Sequence, residues 1–173
     1  TSGTYTATYP APAPAGPFTL WPATTVPTHA SEPTDPSSVE LGMKFRSDVA
    51  GTVIGVRFFK GATTTGTHTG TLWSASGTRL ATATFTNETK SGWQQVTFST
   101  PVSIAANTVY VVSYHTNVGN YAYTSAYFAS KGVDSAPLHA PATGAVSGGN
   151  GVYRYATSSV FPMLLVNGPG RDD

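Results

Sequence analysis

The sequence contains no cysteine, which excludes disulfide bonds, thiolate nucleophiles and cysteine-based zinc sites. Charge is also scarce, because Asp, Glu, Lys and Arg make up only 10% of the chain and the formal net charge is +1. A field this weak does not steer nucleic acid or an anionic membrane surface onto a protein, so neither partner is expected. Stability must therefore come from the burial of apolar side chains.

Long hydrophobic runs are absent as well. No stretch of about 18 apolar residues occurs, so no membrane-spanning helix is predicted. No basic segment followed by an apolar one begins the chain, so we expect a mature fragment rather than a precursor. Polarity comes mainly from Thr, Ser, Gly and Asn, which suit short strands and turns. This composition favours a secreted, extracellular protein.

Proline separates the start of the chain from the rest. Residues 1–16 alternate Pro with Ala after a Thr-rich start, which predicts an extended linker that tethers a catalytic domain. The alternative is a tail with no partner domain. Residues 17–166 are predicted to form one domain, in which five prolines make 17–38 an irregular arm, and 167–173 form a tail.

Short alternating segments begin at Val39 and are bounded by turn residues, a pattern typical of an antiparallel β-sandwich of the jelly-roll or immunoglobulin-like type. The alternation places Ile54, Val56 and Phe58 on one face of a strand, and Val112 and Tyr114 on one face of another. No competing helical pattern emerges. The fold class is therefore all-β, with predicted strands at 39–46, 52–60, 67–74, 79–86, 93–99, 108–115, 121–127 and 151–156.

The sequence offers few candidate catalytic groups. No pair of the eight acidic residues has a spacing that predicts the facing carboxylates of a glycoside hydrolase. The nucleophile elbow Gly-x-Ser-x-Gly is absent, and the four histidines form neither His-x-His nor His-Glu-x-x-His. An enzyme is accordingly the least favoured of three hypotheses.

Aromatic residues favour binding instead. A sugar ring presents flat C–H faces that lie well on aromatic rings, and its hydroxyls take neutral polar partners. Tyr121 and Tyr123 share one face of their predicted strand, as do Tyr153 and Tyr155, so each pair either points inward or forms an exposed platform. The predicted carbohydrate contacts, each with core packing as its alternative, are Trp73, Tyr114, His115, Tyr121, Tyr123, Tyr127, His139, Tyr153, Arg154 and Tyr155.

Eight motifs occur in an order that resembles the bacterial family catalogued as domain of unknown function 4082, over about Leu20 to Phe161. The resemblance implies a β-sandwich module of large secreted bacterial proteins, commonly actinobacterial, found beside glycoside hydrolases and immunoglobulin-like or fibronectin-like domains. The motifs are Val39-Glu-Leu-Gly-Met-Lys-Phe-Arg-Ser-Asp48, Gly55-Val-Arg-Phe-Phe-Lys-Gly61, Gly70-Thr-Leu-Trp-Ser-Ala-Ser-Gly77, Gly92-Trp-Gln-Gln-Val-Thr-Phe98, Thr108-Val-Tyr-Val-Val-Ser-Tyr-His115, Tyr127-Phe-Ala-Ser130, Pro137-Leu-His-Ala140 and Gly151-Val-Tyr-Arg-Tyr155.

The end of the chain departs from that family. Its members end in a strand with a Trp-Val-Asp core, whereas Phe161-Pro162 is followed here by Met163-Leu-Leu-Val166 and no acid at that place. By analogy with carbohydrate-binding sandwiches, a structural calcium ion would be held by Glu40 together with the family's terminal acid, which is missing here. The alternative for Glu40 is a solvated or arginine-paired carboxylate. No cofactor is required by the sequence.

We therefore expect a monomeric, non-catalytic accessory module of a secreted enzyme such as a glycoside hydrolase. It would bind a polysaccharide or cell-wall glycan through exposed aromatic residues and hold its partner domain near that polymer. The alternative is a structural or protein-interaction spacer with no small ligand.

Overall fold

The computed structural model of the protein describes residues 16–30 and 35–165. These residues form ten strands and a single 3-10 turn, Thr143–Ala145. None of the helical segments in these two ranges is long and apolar enough to cross a membrane. The strands are β1 Val39–Ser47, β2 Gly51–Lys60, β3 His68–Ser74, β4 Arg79–Thr84, β5 Gly92–Ile104, β6 Tyr110–Thr116, β7 Val133–Ser135, β8 Leu138–Ala140, β9 Val152–Tyr155 and β10 Leu164–Leu165.

Eight strands form one antiparallel sheet. Six of them lie in the order β10-β9-β1-β6-β3-β4, and the β7–β8 hairpin joins the end of β1, where Arg46 pairs with His139. The centre of the sheet is β1, which pairs with β6 on one side and with β9 on the other. The sequence at the start of β1 therefore meets strands that are more than 70 residues away in the chain.

The other two strands, β2 and β5, form a second sheet that packs on one face of the large sheet. Alternation turns Val56 and Phe58 of β2 inward, and the Phe58 ring stacks on Tyr114 of β6 with centroids 4.4 Å apart. Gly70 of β3 permits the two sheets to pack this closely, because a Cβ at position 70 would press against the Val56 side chain. The antiparallel β-sandwich predicted from the sequence is confirmed.

The opposite face of the large sheet is covered too. Trp73, Val111 and Val152 are buried on that side, and Phe161 of the segment after β9 packs edge-on against Trp73 with ring centroids 5.8 Å apart. Pro162 in the same segment is fully buried. The large sheet is therefore the middle layer of the domain, and both of its faces are covered.

Three sequence expectations need correction. No strand spans 121–127, where Tyr123 makes only an isolated bridge with His29, because this stretch crosses to the arm instead of joining a sheet. The short strands β7 and β8 were not predicted. Ile54 does not share the inner face and is 43% exposed, because the β2–β5 register shifts between Val53 and Gly55.

The remaining strand predictions agree with the structure to within a few residues, although β5 runs on to Ile104. A short strand was also expected within 163–166, and β10 pairs there with β9. The predicted linker, 1–16, and the tail, 167–173, lie outside the described residues apart from Gly16.

Candidate functional site

Four tyrosines meet where β9 faces the arm and the stretch after β6, and we call Tyr121, Tyr123, Tyr153 and Tyr155 the tyrosine cluster. Tyr153 and Tyr155 lie two residues apart on β9, so both project from one face, with ring centroids 5.7 Å apart at 80°. Tyr121 and Tyr123 form a similar edge-to-face pair at 6.2 Å. The two pairs predicted from the sequence are thus brought together.

The carboxylate of Asp35 connects the two pairs. Its Oδ2 accepts a hydrogen bond from the Tyr121 hydroxyl at 3.1 Å and another from the Tyr155 hydroxyl at 2.7 Å. Its Oδ1 accepts the backbone N–H of Ser37 at 3.1 Å. Because Asp35 is only 8% exposed, it holds both phenols in place from beneath.

The backbone around Gly119 fixes the position of Asp35. The amide of Asn120 donates to the Asp35 carbonyl at 3.0 Å. Gly119 has φ +64°, and a Cβ at this position would collide with the same carbonyl oxygen, so only glycine allows the approach. Sequence reasoning missed Asp35, because no local pattern predicts that an acid of the proline-rich arm meets tyrosines 86 and 120 positions away.

His29 adds a further ring at the margin of the cluster. Its imidazole stacks on Tyr123 with centroids 4.4 Å apart and an angle of 6° between the planes. Two backbone hydrogen bonds between these residues, at 2.9 and 3.0 Å, support the stack. His29 is exposed and was not among the predicted contacts, since its partner again lies in a distant part of the chain.

The cluster is partly open to solvent. Tyr155 is 40% exposed, whereas Tyr121, Tyr123 and Tyr153 are half-buried. Ring faces, phenol hydroxyls and a carboxylate acceptor are therefore combined in one place with fixed geometry. Such a surface suits a ligand that is flat and apolar on one side and carries hydroxyls at its edge.

Two predicted contacts take part in core packing. Tyr114 stacks on Phe58 in the main core, and burial raises the pKa of its phenol well above the usual value. Trp73 is 3% exposed, and its indole N–H donates to Ser113 Oγ at 2.7 Å on the other face of the sheet. Both rings therefore pack the domain, since Trp73 is buried and Tyr114, which is half-buried, has one face against Phe58.

Three others are placed by structural contacts away from the cluster. His115 is buried, and its Nε2 lies 3.0 Å from both Ser38 Oγ and the carbonyl oxygen of Ala156. The Tyr127 hydroxyl accepts the indole N–H of Trp21 at 2.8 Å. Arg154 is exposed, and alternation along β9 turns it to the face opposite Tyr153 and Tyr155.

His139 forms a clasp with two carboxylates instead of joining the tyrosines. Its Nδ1 lies 2.5 Å from Asp134 Oδ1 and its Nε2 lies 2.6 Å from Asp48 Oδ2. Since carboxylates only accept, both ring nitrogens donate when the imidazole is protonated. The hydrogen bonds from His139 to Asp134 and Asp48 raise the pKa of His139, while Arg46, which is 2.6 Å from Asp48, opposes this.

The clasp predicts a pH dependence of stability. Because the pKa of His139 is raised on folding, its contribution is fully present below its usual value of 6.5 and is lost as pH rises through the raised value. We expect His139→Gln to lower the melting temperature by a few degrees at about pH 6 and to have little effect at about pH 9. Thermal unfolding monitored by circular dichroism across this range measures the difference. The exposed His29→Gln serves as the control, and an equal loss at both pH values would contradict the assignment.

Glu40 is fully buried between β9 and β6. Burial raises its pKa from 4.5 to about 7, although hydrogen bonds from Ser113, Ser159 and the Val160 amide partly oppose the rise. Its Oε1 accepts the Ser113 hydroxyl at 2.5 Å, and its Oε2 accepts the Val160 N–H at 3.3 Å. Donors therefore face both carboxylate oxygens, a setting that does not fit a calcium ion, which needs six to eight oxygen ligands.

His68 is a second buried titratable group, which sequence reasoning did not single out, and it lies where β3 begins, opposite Thr116 of β6. His68 Nδ1 lies 2.8 Å from Glu88 Oε1, and Lys60 Nζ lies 2.7 Å from Glu88 Oε2. Burial lowers the pKa of His68 despite the carboxylate beside it. Within residues 16–30 and 35–165, no group of three or more His, Asp or Glu side chains is arranged to hold a metal ion.

Comparison with known proteins gives a family. The family model described as Domain of unknown function (DUF4082) matches residues 24–168. No curated protein matches the chain, and no solved structure matches it.

Proposed function

This chain belongs to the DUF4082 family, a domain of unknown function, and we propose that it is a non-catalytic module that binds polysaccharide at the tyrosine cluster. The single observation that carries the proposal is the state of Tyr155. Its ring is 40% exposed while its hydroxyl is held at 2.7 Å by the buried carboxylate of Asp35. A ring that is open to solvent and already fixed loses little conformational entropy when a ligand stacks on it.

The chemistry of the surroundings supports a sugar over other ligands. A pyranose offers a C–H face to the Tyr155 ring and hydroxyls to the phenol oxygens of the tyrosine cluster. The acidic character of Asp35 favours neutral polysaccharides over polyanionic ones, because like charges repel in a partly buried site. Neither a metal nor another cofactor takes part in the proposed contact.

The setting we propose for this binding is extracellular. In it, residues 1–16 tether the domain to a catalytic partner, and the module keeps that partner near an insoluble polymer. Tethering raises the local concentration of enzyme at the polymer without any new contact to it.

Removal of the exposed ring tests the proposal. We expect Tyr155→Ala to weaken retention on the polysaccharide it prefers about tenfold, equivalent to about 1.4 kcal/mol. The measurement is depletion from solution by insoluble glucans, chitin, xylan and cell walls, with albumin as the background. Tyr155→Phe keeps the ring but loses the bond to Asp35, so its affinity should fall between those of the other two forms.

Phe18→Ala is the matched control, because Phe18 is an exposed ring of the arm, away from the tyrosine cluster. It should leave retention unchanged. Binding of no polysaccharide above the albumin background, or an equal loss in Phe18→Ala and Tyr155→Ala, would contradict the proposal.

An interaction module is a second candidate, and the exposed edge at β10 favours it. β10 is the outermost strand of the large sheet within the described residues. Met163, just before this strand, is 61% exposed, and Leu164, within it, is 49% exposed. Apolar side chains on an edge strand favour pairing with another chain. Concentration-dependent dimerisation in analytical ultracentrifugation, abolished by Leu164→Lys, would support it, whereas a monomer at all concentrations would count against it.

A further inference from the structure

A cavity of about 580 Å³ lies on the side of the sandwich where β2 has no neighbouring strand among the described residues. One wall is the arm from Gly16 to Trp21, and the other is the first part of β2 from Gly51 to Arg57. Its volume falls within the range typical of small-molecule sites. This cavity is separate from the tyrosine cluster, since none of the four tyrosines lines it.

The cavity results from the unequal size of the two sheets. Within the described part of the chain the second sheet has two strands, so it does not cover the inner face of β1 as a third strand would. The arm crosses this region instead, and Leu20 reaches the main core. Pro17 and Pro22 limit ladder pairing of the arm, so the arm bounds the opening without filling it.

The lining is mostly apolar, its apolar side chains are mainly aliphatic, and Thr19, Ser47 and Thr52 add neutral polar groups. Residues from both sheets and from the β7–β8 turn contribute, so the cavity reaches the main core. The aliphatic lining includes Met43, Val53, Val56, Ile104, Val112 and Leu138.

Arg57 is the one charged side chain among the residues that line the cavity. Its guanidinium lies over the Trp93 ring, 4.7 Å from the centroid, and its Nη1 donates to the Trp21 carbonyl at 3.3 Å. Arg57 forms no ion pair with any described residue. Because a guanidinium has five N–H donors, it can still bind an anion in the bidentate manner typical of carboxylates.

We propose that this cavity binds a long-chain carboxylate, with the aliphatic chain in the cavity and the carboxylate at Arg57. The apolar lining selects a chain that carries no hydroxyls, which distinguishes this ligand from a sugar. A single cation at the boundary of an apolar cavity matches an amphiphile with one anionic end. The site is independent of polysaccharide binding at the tyrosine cluster.

The probe for a direct test is cis-parinaric acid, a fluorescent polyene fatty acid. Trp21 and Trp93 line the cavity, so bound probe should receive energy from them and quench tryptophan emission in a saturable, one-to-one manner. Palmitate should displace the probe, and 1-hexadecanol should do so about tenfold less well, because it lacks the charge that Arg57 binds. Binding seen only at concentrations where the fatty acids form micelles would overturn the proposal.

Arg57→Gln should lower the affinity for palmitate about tenfold and leave that for 1-hexadecanol unchanged. The matched control is Arg79→Gln, because Arg79 also lies over a tryptophan, 5.0 Å from the Trp73 ring, but on the other side of the large sheet. Ala50→Phe, at an exposed position in the lining, should weaken both ligands. Equal effects of Arg57→Gln and Arg79→Gln, or equal affinity for palmitate and the alcohol in the unmodified protein, would overturn the proposal.

Tyr155→Ala separates this site from the proposed polysaccharide site. It should leave parinarate binding unchanged whether or not it reduces retention on polysaccharide. A loss of parinarate binding in this variant would mean that the fatty acid binds elsewhere and would contradict the proposed site in the cavity.

Discussion

Trp73→Ala is expected to lower the free energy of unfolding by about 4 kcal/mol, the largest effect of any substitution considered for this protein. The side chain is 3% exposed, its ring packs on Phe161 at 5.8 Å and its indole N–H donates to Ser113 at 2.7 Å. Alanine would leave a cavity between the large sheet and the segment that covers it. The loss of ring contacts adds to the loss of the hydrogen bond.

Urea denaturation measures this change in the free energy of unfolding. Two further variants show how much of it comes from the hydrogen bond and how much from burial of the ring. Trp73→Phe keeps most of the ring but removes the donor, so its loss should be about 1–2 kcal/mol. Trp93→Ala removes the same side chain from a half-buried position on the second sheet and should cost less than Trp73→Ala. Equal losses for Trp73→Ala and Trp93→Ala would mean that the segment around Phe161 is not a structural layer.

Glu40→Gln is expected to remove a pH dependence of stability worth about 3 kcal/mol. The folded protein binds a proton at Glu40 with a pKa of about 7, compared with 4.5 for an exposed glutamate. The folded state therefore holds more protons than the unfolded state between these values. Stability from this group is fully present below pH 4.5 and is lost as pH rises through about 7.

Denaturant unfolding of both proteins at about pH 5 and pH 8.5 measures the effect. The unmodified protein should lose stability relative to Glu40→Gln as pH rises, because it must bury an ionised carboxylate. The comparison at each pH cancels the contributions of His68, whose lowered pKa acts with the opposite sign, and of His139. A constant difference between the two proteins at both pH values would exclude a proton on Glu40.

The buried polar groups explain why the large sheet tolerates two covered faces. Ser113 accepts the indole N–H of Trp73 and donates to Glu40, so one hydroxyl satisfies two buried partners. The segment at Val160 then donates to the same carboxylate. Trp73→Ala and Glu40→Gln thus act on one hydrogen-bonded chain, and their effects should not be additive.

Alternation in the sequence predicted the inward-facing residues correctly where a strand had one inner and one outer face. β2 illustrates this, because Val56 and Phe58 turn inward as their spacing indicates. The same reasoning failed at Tyr121 and Tyr123, whose alternate spacing resembles a strand although their partners lie in the arm. A period of two reports which residues share a side, but it does not report what that side contacts.

The candidate site was predictable only in part, for the same reason. The sequence predicted that Tyr121 and Tyr123 share one face of their segment. It predicted the same for Tyr153 and Tyr155. Trp73 and Tyr114 carry the same local signal as these tyrosines, yet packing layers cover Trp73 and one face of Tyr114, because both faces of the large sheet are covered. Nothing in the sequence distinguishes a covered face from an open one when each consists of aromatic and small residues.

By itself the sequence determined the strand-and-turn order, the all-β fold class and the family, because each depends on local alternation and on motifs in a fixed order. Only the tertiary structure decided which rings stay open, that Asp35 ties two of them together, and that the arm leaves a cavity beside Arg57. These features depend on contacts between residues 36 to 120 positions apart. Such contacts are fixed by how layers of different width cover one another, and no local pattern encodes that.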